Sequence, residues 1–289
     1  MLTLSRLVFC GLAFAFVLAP VKAHSWTTSL GCEGSSLDGR VNWGTGTSLS
    51  TAQAAGGSQS CKLNIAKGSE GWPSSGGPME FGVIVPFPTP VRVGEELWAR
   101  VKLFVPVGFS LSTNTGMLKF IRFHAKTAQT NAGYLDVLLG TGSTPLWNAT
   151  LKRDEYPPYV VGFEGRPGLT FIGTRPKDDV AMGRWEAYEV NVKVGTSVSN
   201  SRVRFWKNNR MVAEVSQISA VDESGSLDGL FLFTYWNGTS PQSQHLYVDD
   251  IAVTSDIPAN RDSGGNPFIG GSIADDSSAP LAPSNLGVQ

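Results

Sequence analysis

Apolar and polar residues alternate with a period of two in one short run after another, and turn-forming residues separate the runs. Leu97–Val105 (LWARVKLFV), Met117–His124 (MLKFIRFH), Tyr134–Leu139 and Trp185–Val194 (WEAYEVNVKV) each read as a strand. Arg202–Trp206, Arg210–Val215, Cys61–Ile65 and Phe81–Val85 read the same way. Trp185–Val194 and Arg202–Trp206 read as a hairpin with a long polar connection. Gly68–Pro78 is loop, and residues 140–183 read as irregular around Pro157-Pro158. No amphipathic helix of useful length, heptad or internal repeat interrupts this pattern. Roughly a dozen short strands with turns between them define an all-β sandwich or jelly roll.

The pattern also sorts side chains onto faces. In Met117–His124, Phe120, Arg122 and His124 share one face, while Lys119, Ile121 and Phe123 share the other. Only a β-bulge would bring Lys119 round to Arg122. Further on, Leu230–Trp236 is a strand, Asn237, Gly238, Ser240 and Pro241 break it, and His245–Val253 resumes it. The polar break sets Asn237, Gln242, Gln244 and His245 beside Tyr235 and Trp236. A sugar has an apolar face and a hydroxyl rim, so aromatic rings beside amides suit it. A hairpin with an ordinary polar loop explains the same residues, and both readings stay open here.

Composition narrows the function. With 289 residues, 41% of them hydrophobic, the chain is long enough for one large domain or two small ones. A formal net charge of -1 gives no basic field for nucleic acid or anionic lipid. Arg6, the apolar Leu7–Pro20 and Val21-Lys22-Ala23 make residues 1–23 a signal peptide, so a mature chain starting at His24 is expected to be secreted, extracellular or periplasmic. No later stretch reaches membrane-spanning length. Two cysteines then remain, Cys32 and Cys61, and in an oxidising compartment they are expected to pair, adding about 3–4 kcal/mol. Residues 24–257 are expected to form the domain, and the polar, Pro- and Ser-containing 258–289 a disordered tail or linker stub. A monomer is expected.

Four segments, taken in order, carry a resemblance: GEELWARVKLFVP (Gly94–Pro106), LKFIRFHA (Leu118–Ala125), GRWEAYEVNVKV followed by RVRFWKNNRMV (Gly183–Val212), and YVDDIAV (Tyr247–Val253). Over about residues 26–257 they resemble the concanavalin A-like lectin/glucanase jelly roll, and within it the polysaccharide lyases of the alginate, glucuronan and heparin type. The resemblance implies β-elimination on a uronic-acid polymer. The alginate-lyase motifs are not present as such, and the paired-carboxylate glucanase pattern is absent. Glu186 and Glu189, three apart, point to opposite faces of a strand, which disfavours retaining hydrolysis.

Elimination needs a cation or amide on the sugar carboxylate, a base for the C5 proton and an acid for the departing O4. The candidates are Arg122 with Gln244 or Asn237 as neutraliser, His124 as base and Tyr235 as acid, with Lys119, Trp236, Gln242 and His245 as further substrate contacts. Each has a plainer reading: Arg122 in a rim ion pair, His124 structural, and Tyr235 in the core because it alternates with Phe231 and Phe233. No cofactor is required. By resemblance, Asp249 and Asp250 are candidate ligands of a structural Ca²⁺, against the alternative of a solvated pair. His24 as a copper ligand has no support elsewhere in the chain. The expected partner is an anionic polysaccharide. The alternatives are a non-catalytic carbohydrate-binding jelly-roll module and, more remotely, a structural or adhesion protein.

Overall fold

In the computed structural model every regular element among the described residues is a β-strand. The structure describes residues 25–35, 42–43, 46–68, 82–112, 116–127, 131–164, 169–196, 200–216, 221, 225–236 and 240–271, with backbone only at 42–43, 131–132 and 233–236. Strands are numbered β1 to β19 along the chain. Among the described residues an eight-stranded sheet runs in the order β15 (Arg210–Ser216), β14 (Arg202–Lys207), β13 (Trp185–Lys193), β6 (Glu96–Phe104), β17 (Gln244–Thr254), β4 (Ser60–Ile65) and β3 (Thr47–Ser50). β1 (Thr27–Leu30) pairs with the second half of β17. A seven-stranded sheet runs β12 (Thr170–Ile172), β11 (Tyr159–Phe163), β8 (Asn131–Gly140), β7 (Met117–Lys126), β16 (Ser226–Trp236), β5 (Gly82–Arg92) and β2 (Asn42–Trp43). Two short ribbons complete it, β9 (Leu146–Asn148) with β10 (Arg153–Glu155), and β18 (Asn260–Arg261) with β19 (Pro267–Phe268). The architecture is the all-β jelly-roll sandwich expected from the alternation. No helix among the described residues is long and apolar enough to cross a membrane.

The core lies between the two inner faces, where alternate residues meet. β6 contributes Leu97, Ala99, Val101 and Leu103, and β13 contributes Tyr188, Val190 and Val192. Facing them are Phe120 and Phe123 of β7, Leu135, Val137 and Leu139 of β8, and Tyr159 and Val161 of β11. Tyr159 packs edge-on against Phe205 with ring centroids 4.8 Å apart, the favourable geometry for two quadrupoles.

Three expectations need correction. Residues 140–183 are not all irregular, because β11 is a fully buried strand of the seven-stranded sheet. Pro157-Pro158 hides it from the periodicity. Gly140 lets its backbone close in, since a Cβ there would lie 1.8 Å from the Pro157 carbonyl oxygen. Second, β16 and β17 do not form a hairpin. They lie in opposite sheets, so the chain passes from one sheet to the other between Trp236 and Gln244. Third, residues 258–271 are not a tail. They fold back over the outer face of the eight-stranded sheet. Residues 272–289 and 1–24, among them the expected signal peptide, lie outside the described residues.

Specific side chains hold this strap. Trp98 donates its indole N–H to the Pro267 carbonyl (3.0 Å), and Trp206 donates its own to Asp262 (2.9 Å). Phe268 stacks on Trp206. Glu189 accepts the backbone N–H groups of Ile269 and Gly270, while Arg100 donates to the Gly270 carbonyl at 2.6 Å. Glu186 points the other way, pairing with Lys207 at 2.9 Å, as their three-residue spacing requires. The Cys32–Cys61 disulfide is formed and ties the segment after β1 to β4, two strands that pair with successive halves of β17.

Two predictions follow from these contacts. The disulfide spans a sequence separation of 29, so its loss, as Cys32→Ala with Cys61→Ala, should cost about 3–4 kcal/mol in urea unfolding. Burial pushes the Glu189 carboxyl up to about 7, against the opposing backbone N–H bonds and Arg100 charge. The folded chain therefore keeps this proton at pH values where the unfolded chain has released it. The contribution of Glu189 to stability falls as pH rises from 4.5 to about 7. Glu189→Gln should flatten that part of the curve of urea midpoint against pH.

Candidate functional site

The outer face of the seven-stranded sheet carries a cluster of charged and aromatic side chains, and two β-bulges assemble it. In β7, Lys119 pairs with Leu138 and Ile121 with Val137, so one extra residue is accommodated. Phe120 and Ile121 both enter the core, and Lys119 turns to the face of Arg122. Lys119 was expected on the opposite face in the absence of such a bulge. In β16 the register shifts between Leu227 and Gly229 against both neighbours. Leu227 and Leu230 stay in the core, and Asp228 reaches His124.

Register does the rest. Asp136 and Phe231 lie opposite Arg122 on the two flanking strands, and Tyr134 lies opposite His124. Arg122 Nε donates to Asp136 Oδ1 at 2.7 Å, and its Nη2 donates to Glu164. Its guanidinium carbon sits 3.8 Å from the centre of the Tyr134 ring. Lys119 donates to the other oxygen of Glu164. His124 Nδ1 is 2.5 Å from Asp228 Oδ1, its ring stacks on Phe231 at 5.4 Å and 8°, and the Tyr134 ring lies 5.3 Å away. Lys126 lies 3.7 Å from the second Asp228 oxygen.

The electrostatics follow from depth. Arg122 and Asp136 are 3% and 4% exposed, so both charges need compensation on the spot. Burial raises the Asp136 carboxyl to about 6, although Arg122 pulls the other way. Burial also raises Glu164, but the charges and hydrogen bonds of Arg122 and Lys119 outweigh it and hold this carboxyl below its usual range. Asp228 behaves alike: burial is outweighed by His124 and Lys126. Burial pushes the Tyr134 phenol upward, with Arg122 opposing, so it stays protonated at neutral pH. The cluster thus holds a cation pair on one shared carboxylate, with a second carboxylate under the guanidinium, an imidazole oriented by a carboxylate, and a neutral phenol against both Arg122 and His124.

Arg122 and His124 lie on one face, as the alternation predicts. Tyr235 and Trp236 pair by backbone with Lys119 and Leu118, while their side chains, and all of Asn237, lie outside the described residues. The glutamines and His245 do not join the cluster. Gln244 clamps Ser110 through both amide atoms, accepting at 2.8 Å and donating at 3.0 Å, and Gln242 donates to Gly108 at 3.0 Å. His245 belongs to the other sheet, where its Nε2 lies 3.1 Å from the Tyr247 hydroxyl. Gln244 and His245 lie in β17 of the opposite sheet and Gln242 just before it, which is the physical reason.

Nor does the acidic pair fit a calcium ion. Asp249 accepts N–H groups from Ala55 (2.8 Å), Gly56 (3.2 Å) and Asp250 (2.8 Å), and Lys102 lies 2.8 Å from Asp250. Donors and an ammonium fill the positions a cation would need. Among the described residues no group of three metal-binding side chains forms. Sequence reasoning missed Tyr134, Asp136, Glu164 and Asp228. The alternation in Tyr134–Leu139 carried a signal for the first two, as polar positions two apart share a face. Nothing local marked Glu164 or Asp228.

No protein-family model matches the chain, and no curated protein matches it in sequence. Solved structures match its fold. An endo-β-1,4-glucuronan lyase from the fungus Trichoderma reesei is similar with a TM-score of 0.52 at 11% identity, covering 79% of this chain and 94% of its own. A cellulose-induced protein, Cip1, is similar with a TM-score of 0.51 at 15% identity, covering 79% of this chain and 97% of its own. The chain shares the jelly-roll fold of these two proteins, as the order of its strand motifs implied.

The ion network makes its own prediction. Asp136→Ala should cost about 3 kcal/mol, because it leaves a buried guanidinium short of its inner partner. Lys126→Ala, at an exposed end, should cost under about 1 kcal/mol. Urea unfolding of the two variants checks the contrast.

Proposed function

We propose that the chain is an exported polysaccharide lyase that cleaves a uronic-acid polymer by β-elimination. The observation that carries this reading is the contact of Arg122, His124 and Tyr134 on one outer sheet face. The fold shared with a glucuronan lyase supports it. The disulfide and the N-terminal leader pattern support export. In this reading the Lys119–Arg122 pair draws charge from the sugar carboxylate and so acidifies the C5 proton. Asp228 holds His124 through Nδ1, which leaves Nε2 to take that proton. Tyr134, adjacent and protonated, gives its proton to the departing O4. Tyr235, opposite Lys119 in register, remains a second candidate for this acid.

One observation favours a non-catalytic carbohydrate-binding module instead: Asp136 and Glu164 already neutralise both cations. Turnover separates the two. Glucuronan, alginate and heparin-type polymers are added separately, and ultraviolet absorbance of the unsaturated uronate is followed. The lyase reading expects absorbance to rise with one of them. His124→Ala combined with Tyr134→Phe should then lower kcat/KM by at least about 10²-fold, whereas Asp228→Asn should lower kcat with KM little changed. Binding without new absorbance on any uronate would establish the module.

A further inference from the structure

Glu164 differs from the other members of the ion network. The Lys119, Arg122 and Asp136 side chains are 9%, 3% and 5% exposed, whereas that of Glu164 is 37% exposed. Its two oxygens are shared out, one to Lys119 and one to Arg122. A carboxylate spanning an ammonium and a guanidinium from the solvent side has the geometry a uronate carboxylate would adopt on the same pair. Its backbone is fixed independently, the Glu164 N–H donating to the Tyr134 carbonyl at 2.8 Å. The side chain alone would have to rotate to leave the cations, and the strand edge beneath it would stay in place.

We propose that Glu164 is a resident counter-ion occupying the carboxylate subsite, and that an anionic sugar binds by displacing it. This rests on the reading of this face as a uronate site and adds to it the residue that sets affinity. Asp136 does not exchange, because it sits beneath Arg122 with no solvent side. Displacement is a like-for-like exchange of one carboxylate for another. Affinity for the polymer is therefore held down by the strength of the internal pair, and selectivity for acidic over neutral sugars comes from the need to replace a full negative charge.

The test is calorimetric titration of the full chain and of Glu164→Ala and Glu164→Gln. The probes are a saturated glucuronan oligosaccharide, an alginate oligosaccharide and a neutral cello-oligosaccharide of equal length. Glu164→Ala should bind one of the acidic probes about tenfold more tightly than the natural chain, an advantage that shrinks in high salt, with the neutral probe unaffected. Glu164→Gln keeps the shape and one acceptor and should gain less. A thermal melt of each variant establishes that it is folded, and Glu164→Gln carries the test if Glu164→Ala is not. Unchanged or weaker binding of every acidic probe overturns the proposal, as does an equal gain for the neutral probe. Turnover is scored separately. Tighter acidic binding with no unsaturated product upholds the counter-ion and rejects the lyase. Elimination by the natural chain without tighter binding by the variants does the reverse.

Discussion

A guanidinium buried to 3% exposure has to be compensated where it stands, and much of the seven-stranded sheet is arranged around doing so for Arg122. An isolated buried charge would cost several kcal/mol, more than most single interactions return. Among the described residues the compensation includes Asp136 beside it on β8, Glu164 just past β11, and the face of Tyr134. Each partner fixes a register. Asp136 requires β8 to pair with β7 as it does, and Glu164 requires β11 to end level with Tyr134. A one-residue slip on either side would leave the cation facing an apolar neighbour.

The two bulges are what convert an ordinary outer face into a cluster. Strict alternation along β7 would send Lys119 to the core side, where its charge would have no partner. Doubling the inward residues at Phe120 and Ile121 brings Lys119 and Arg122 onto one carboxylate. The matching irregularity in β16 brings Asp228 within reach of His124 while the leucines keep their places in the core. This is also where sequence reasoning stops. Period-two patterning located the strands and put Arg122 with His124, because those follow from local geometry alone. A bulge depends on the partner strand, so Lys119 could be placed only conditionally. Asp228 and Glu164 come from parts of the chain that contact β7 only after folding, 104 and 42 residues away in sequence. The same limit explains the error at Gln242, Gln244 and His245. Proximity in sequence to Tyr235 suggested a shared loop, yet the chain changes sheets there.

The two outer faces of the sandwich are finished in different ways. On the eight-stranded sheet, Trp98, Trp206, Arg100 and Glu189 would present a broad apolar and charged surface to water. The strap formed by residues 258–271 covers them: backbone carbonyls of Pro267 and Gly270 accept from Trp98 and Arg100, the Asp262 carboxylate accepts from Trp206, and the backbone N–H groups of Ile269 and Gly270 donate to Glu189. Composition misled here because Pro, Gly, Asn and Asp mark a tight, well-bonded turn as readily as a loose tail. Their role is to make short hydrogen-bonded connections, and the aromatic Phe268 anchors them. On the seven-stranded sheet the charged groups satisfy one another instead, with no such cover over them among the described residues.

That contrast bears on chemistry. A face sealed by its own backbone is stable and inert, whereas a face held by side-chain ion pairs keeps groups that can change partners. A catalyst for elimination must hold cations ready without letting solvent or the surrounding fold relax around them. In the proposed lyase reading, carboxylates of the same chain hold those cations in place until a ligand replaces the outer one. Their positions are fixed before any ligand arrives, and the cost of burying them has already been met in folding. The inner carboxylate, with its proton affinity raised by burial to about 6, is a structural partner. The outer one, held strongly ionised by the same two cations, is the one a ligand would have to match. Preorganisation and restraint on affinity thus have a single origin in the pairing of Lys119 and Arg122 across one exposed carboxylate.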